Sequence, residues 1–191
     1  MKTNLLTVLF LTAVAAGAQS FDTKQTATYR RLKGQLDATP AIDTHDHPMP
    51  FETLRGRVPT ERGPGMTLHS LWESSYYTWF NPLTVWPESG KFEDWWPKAK
   101  RDFDNARATG FYRYQLPAFS DLYGVDFDAI NDEEARRLND RIFDNYQSPR
   151  WFYEVVTERA NIELMFIDPY WGRFAFTNAY PFGVLVLNVT T

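Results

Sequence analysis

The 191-residue chain carries 20 Lys and Arg against 24 Asp and Glu, a formal net charge of −4 at pH 7, with 43% hydrophobic and 17% aromatic residues and no cysteine. Its apolar share suffices for a packed core and excludes disorder by composition. The charges are scattered and Lys98-Ala99-Lys100-Arg101 falls in a helical pattern, so no basic stripe for nucleic acid is formed, and disulfide staples are excluded outright.

Residues 1–18 read as a secretory signal: Lys2 gives the positive start, Leu5 to Ala16 the apolar centre, and Ala16-Gly17-Ala18 a small-residue cleavage site. The mature chain then begins near Gln19 and is exported to a periplasm or the exterior. The apolar run is too short for a comfortable membrane span, and no cysteine is present to carry a lipid, so no stable membrane anchor is expected. Residues 22–37 suggest a short helix with Tyr29, Leu32 and Leu36 on one stripe, leading through Pro40 into a strand.

That strand, Ile42-Asp43-Thr44-His45-Asp46-His47, holds two of the three histidines. On a regular strand an i, i+2 spacing sends both imidazoles to one face, where they can grip one divalent ion, zinc above others. Asp43 and Asp46 add carboxylates able to ligate or to orient the rings from behind. Two polar surface histidines are the plainer alternative. Pro48 lacks the N–H a central strand needs, so the pair sits where the strand ends.

From Phe51 to Gly90 the chain is rich in Pro, Gly and aromatics; Gly63-Pro64-Gly65 is a strong breaker, and Met66 to Phe80 reads as a helix at a pocket mouth. Within it His69, between Leu68 and Leu71, suits a pocket rim or a packed interior better than a metal. Phe92, Trp95, Trp96, Ala99, Phe103 and Ala106 recur at helical spacing, with Gly110 placed to cap the helix. Asn131 with Glu134 forms a variant capping box opening a helix to about Tyr146, buried through Ala135, Leu138, Ile142 and Tyr146. Ser148-Pro149 starts another helix, running to about Ala160 with Asn161 as its stop. Ile162 to Ile167 reads as a core strand that delivers Asp168 to its end before Pro169; Asp168 is either functional or an ordinary turn residue. Phe182 to Val189 is a last apolar, β-rich run.

The motif Ile42 to His47 resembles the first-strand motif of the amidohydrolase superfamily. Ser75-Tyr76-Tyr77-Thr78-Trp79-Phe80, then Leu116 to Val125 and Asn131-Asp132-Glu133-Glu134, resemble the insertion of its uronate isomerase branch in the same order. The resemblance covers about residues 38 to 170. It implies an α/β fold, part of a TIM-type (β/α)8 barrel with a helical, aromatic-rich insertion after the first strand, and a catalytic metal on His45 and His47. It also implies Tyr77 and Trp79, with His69, at the substrate, and Asp168 at the catalytic end of a barrel strand. Tyr76, Thr78 and Phe80 stand where uronate isomerases carry basic residues, which removes the expected partners of a sugar carboxylate.

A complete barrel takes about 250 residues, so residues 19–191 are expected to be the N-terminal portion of an incomplete barrel domain, inactive alone. Its unpaired strand edges would recruit other chains, which leaves an oligomer open. The expected function is that of a metal-dependent hydrolase in which activated water attacks a carbonyl-type centre of a small molecule: an ester, a lactone or a sugar acid. A uronate isomerase-like sugar-acid isomerase is the first alternative. A secreted carbohydrate-binding module without catalysis, using the seven Trp and ten Tyr, is the second.

Overall fold

The computed structural model of the protein describes residues 22–168 and 180–186. The signal reading of residues 1–18, Pro169 and the far end of the last expected strand lie outside these residues. The chain divides into two compact units, Met1–Ala38 and Thr39–Thr191. Among the described residues no helix is long and apolar enough to cross a membrane.

In the first unit a 3-10 turn, Thr23–Gln25, precedes helix α1, Ala27–Asp37. The hydroxyl of Thr26 accepts the Tyr29 N–H at 3.1 Å and satisfies one of the helix's orphan donors. The helix forms, but its apolar stripe is not buried: no residue of α1 is buried and Leu36 is 73% exposed. Helical spacing lines up Tyr29, Leu32 and Leu36, but burial also needs a partner face, which spacing cannot supply.

The second unit holds a parallel sheet of order β1-β2-β3, with β1 at Ala41–Asp46, β2 at Ile162–Ile167 and β3 at Gly183–Leu185. Between β1 and β2 lie α2 (Leu68–Glu73), α3 (Phe92–Ala106), α4 (Gly110–Arg113), α5 (Leu116–Tyr123), α6 (Asp132–Asn145) and α7 (Pro149–Tyr153), the last running on into a π-helical turn at Glu154–Arg159. The partial (β/α)8 barrel is therefore overturned. The described residues form three strands and mostly helices, and β1, which a barrel would bury on both faces, is almost wholly exposed. Among the described residues eleven aromatic side chains, from Trp72 to Phe127, are buried in one core between β1 and β2 in sequence.

That core centres on Trp72, whose ring lies 4.9–5.5 Å from those of Tyr77, Phe103, Tyr112, Phe119 and Phe127. Such tilted and offset aromatic pairs add about 0.5–1.5 kcal/mol each beyond burial. A smaller cluster of Val156, Met165, Ile167, Tyr180 and Phe182 backs the sheet.

Several helix ends follow the local code. Asn131 and Glu134 form a reciprocal capping box, and α6 buries Ala135, Leu138 and Ile142. Ser148 caps α7, and Asn161 stops the segment with φ of 52°. Two expectations are corrected. The single helix over Met66–Phe80 is broken at Ser74-Ser75, where the Ser75 hydroxyl donates to the Trp72 carbonyl at 2.8 Å and accepts the Tyr77 N–H at 3.2 Å, opening a 3-10 turn at Tyr76–Trp79. Gly110 does not cap α3 but begins α4; the left-handed cap belongs to Gly124, φ 65°, after α5.

Helix α2 is fixed by a buried capping box of Thr67 and Ser70 and by Asn139 of α6, whose side-chain oxygen accepts the Leu68 N–H at 3.0 Å. Asn139→Ala orphans that buried donor and is expected to destabilise the protein by about 1–3 kcal/mol. A denaturant-midpoint shift equivalent to less than 0.5 kcal/mol, on the order of an ordinary surface change, would show that the bond contributes nothing.

Candidate functional site

Strands β1 and β2 pair through Ile42 with Leu164, Asp43 with Met165 and Asp46 with Ile167. Between the last two pairs β1 spends three residues where β2 spends two, so the ladder slips at Thr44-His45. A slip of this kind breaks the alternation of faces that would align the histidines on a regular strand. The rings meet nonetheless, with centroids 4.7 Å apart and planes at 84°.

His47 is tied down from the neighbouring strand. Its Nδ1 lies 2.7 Å from the Asp168 carbonyl oxygen, while the Asp168 N–H donates to the Asp46 carbonyl at 2.9 Å. A carbonyl can only accept, so Nδ1 carries the proton and the basic lone pair sits on Nε2. A metal-ligating imidazole is commonly held in this way. The two carboxylates expected behind the rings hold the main chain instead: Asp43 accepts the His45 N–H at 3.0 Å and Asp46 the His47 N–H at 2.6 Å. Burial pushes the Asp46 carboxyl above its ordinary value, the His47 N–H opposes this, and the neighbouring Asp43 adds to the rise.

A cavity of about 1140 Å³ is lined by both histidines and Asp168 together with Arg55, Tyr76 and Trp79. The Asp168 Oδ1 atom is buried and has no hydrogen-bond partner among the described residues, an unusual state for a carboxylate oxygen. The residues offer a metal two imidazole nitrogens of suitable chemistry. Among the described residues no group of three or more His, Cys, Asp or Glu side chains stands ready to hold an ion.

Of the three residues expected at the substrate, Trp79 lines the cavity and is 67% exposed, whereas Tyr77 and His69 do not line it. Tyr77 is fully buried, donates its hydroxyl to the Pro82 carbonyl at 3.2 Å, and is pushed well above the usual tyrosine range by that burial. His69 packs 5.9 Å from Trp86 and 5.6 Å from Trp95, ring centre to ring centre. The 3-10 turn at Tyr76–Trp79 explains the division, since three residues per turn bring Tyr76 and Trp79 to the same side, on the cavity, and send Tyr77 a third of a turn away into the core. Arg55 and Tyr76 were not singled out by sequence as lining residues; the one available signal for Arg55 was the glycine that follows it in a Pro- and Gly-rich stretch. No family model, curated protein or solved structure matches the chain, so the resemblance to the amidohydrolases stands on the quoted residues alone.

His69 has a pH consequence. Burial holds its pKa below the ordinary value of 6.5, against an opposing pull from Glu73, whose carboxylate lies 3.7 Å from Nδ1. The folded state thus prefers neutral His69. Stability from this group is complete above about pH 6.5 and is lost as pH falls from there toward the depressed folded value, because the unfolded chain takes up the proton first. His69→Gln should be less stable at pH 7.5 but should lose less stability than the wild type between pH 7.5 and 5.5. Parallel denaturation curves at the two pH values would show that His69 does not set the acid response.

Proposed function

We propose that this protein is a metal-dependent hydrolase whose divalent ion, zinc in the first instance, is held by His45 and His47. The observation that carries the reading is the bond from His47 Nδ1 to the Asp168 carbonyl, which fixes the tautomer and turns Nε2 into the donor, beside a second imidazole and in a cavity large enough for a small-molecule substrate. The reading carries forward the chemistry that the first-strand motif resembles, not the barrel.

A divalent ion held by His45 and His47 would supply a Lewis acid able to make water nucleophilic near neutral pH. The chain's own groups do the rest. His47 is oriented by the β2 terminus, and Asp46 and Asp43 hold the main chain on which both imidazoles sit. Asp168 Oδ1, buried and without a partner among the described residues, is the acceptor for the proton that attacking water gives up. In ester hydrolysis the water oxygen bonds to the acyl carbon, the bond from that carbon to the alcohol oxygen breaks, and the proton passes from Asp168 to the departing oxygen.

His45→Ala and His47→Ala should each weaken zinc binding by more than the about 10–100-fold that loss of an orienting partner costs. Calorimetric titration of zinc into the metal-free protein reads this, and unchanged affinity in both variants overturns the proposal. Asp168→Asn, which keeps the backbone carbonyl that holds His47, should lower ester hydrolysis by about 10²-fold or more with zinc affinity retained.

A further inference from the structure

The same cavity carries a second set of groups that neither metal binding nor water activation uses. Arg55 lines it, and this guanidinium has no hydrogen bond or ion pair among the described residues, although Asp46, Glu73 and Asp168 line the same space. Several arginines of the unit are engaged, Arg107 and Arg113 on Asp128, Arg159 on Glu154 and Arg141 on the Tyr123 carbonyl, while Arg101 and Arg150 share with Arg55 the lack of a side-chain partner among the described residues but do not line the cavity. The backbone at Arg55 is tightly constrained. It stands at a turn whose next residue, Gly56, has φ of 89°, and a Cβ on Gly56 would come within 3.0 Å of the Ser74 hydroxyl oxygen. Only glycine combines that conformation with so close an approach to the end of α2.

Facing the same space are Tyr76 and Trp79, edge to face at 4.7 Å and more than half exposed. Large aromatic faces left open inside a cavity, beside a cation that makes no ion pair among the described residues, complement a flat ring with a negative charge on its edge. The cavity, at about 1140 Å³, exceeds what such a ring alone fills, leaving room for the portion that would meet the histidines.

We infer that the cavity selects a substrate built on a planar ring bearing a carboxylate, with Arg55 pairing the carboxylate and Tyr76 and Trp79 covering the ring. The inference rests on the reading of this cavity as the substrate site of a hydrolase, but its test does not depend on metal. Benzoate, benzamide and cyclohexanecarboxylate are titrated into the full chain, stripped of metal with chelator, and followed by ligand-observed nuclear magnetic resonance. Benzoate should bind about tenfold or more tightly than benzamide, the margin of one charge-assisted pair, and more tightly than the puckered cyclohexane acid. Arg55→Gln should erase the preference over benzamide while benzamide still binds, and Trp79→Ala should weaken both aromatic ligands while keeping their ratio. Circular dichroism establishes that each variant is folded, and Gly56→Ala, which displaces the turn, should reproduce the loss seen in Arg55→Gln. Equal binding of benzoate and benzamide, or a preference that survives Arg55→Gln, overturns the assignment of Arg55; equal binding of the puckered acid overturns the ring stacking. Failure of the unaltered protein to bind zinc, with the benzoate preference intact, would overturn the hydrolase reading alone.

Discussion

Parallel pairing of β1 with β2 is the constraint from which the rest of this structure follows. Neighbouring parallel strands must be entered from the same end, so the chain leaving β1 has to travel the length of the sheet before it can return as β2. Here the return takes more than a hundred residues, and His47 meets Asp168 across a separation of 121 positions. The helical aromatic body around Trp72 is that return path. Because the path starts just past His47 and finishes at Asp168, its early turns, including Arg55 and the segment of Tyr76 to Trp79, are carried over the ends of the two strands and enclose the cavity there.

What the sequence made legible was what neighbouring residues decide between themselves. The capping box of Asn131 and Glu134, the stripe of Ala135, Leu138 and Ile142, and the stop at Asn161 all depend on groups within one or two turns of each other. The same local chemistry went unread at Ser75, whose hydroxyl breaks the Met66–Phe80 segment, because a serine within an apolar run reads as tolerated until its partners are seen. Gly110 and Gly124 differ only in where the helices before them end, and α3 stops at Ala106, short of the first of them.

The cavity was legible in three of its lining residues and not in the rest. His45, His47 and Asp168 announce themselves by residue type and by position at strand ends. The role of Asp43 and Asp46 turned on whether a carboxylate finds a ring nitrogen or a nearer main-chain N–H, and at a separation of one or two residues the main chain wins. Tyr77 and Trp79 could not be told apart by composition, yet one is buried beside Trp72 and the other opens on the cavity. The barrel expectation failed on a longer scale. A motif on one strand says nothing of how many strands follow, and the apolar residues after it are spaced for helices.

The slip in the ladder at Thr44-His45 makes the length of β1 itself a heritable property of the site. The extra residue that β2 spends between the partners of Ala41 and Ile42 is matched by the one β1 spends between Asp43 and Asp46, so both strands advance five residues from the Ala41–Ile162 pair to the Asp46–Ile167 pair, and loss of Thr44 would leave the first offset uncompensated. His45 and His47 would keep their spacing from each other, but His47 would move out of register with the Asp168 carbonyl that now orients it. A deletion is therefore constrained by geometry in a stretch where exposure alone would suggest tolerance.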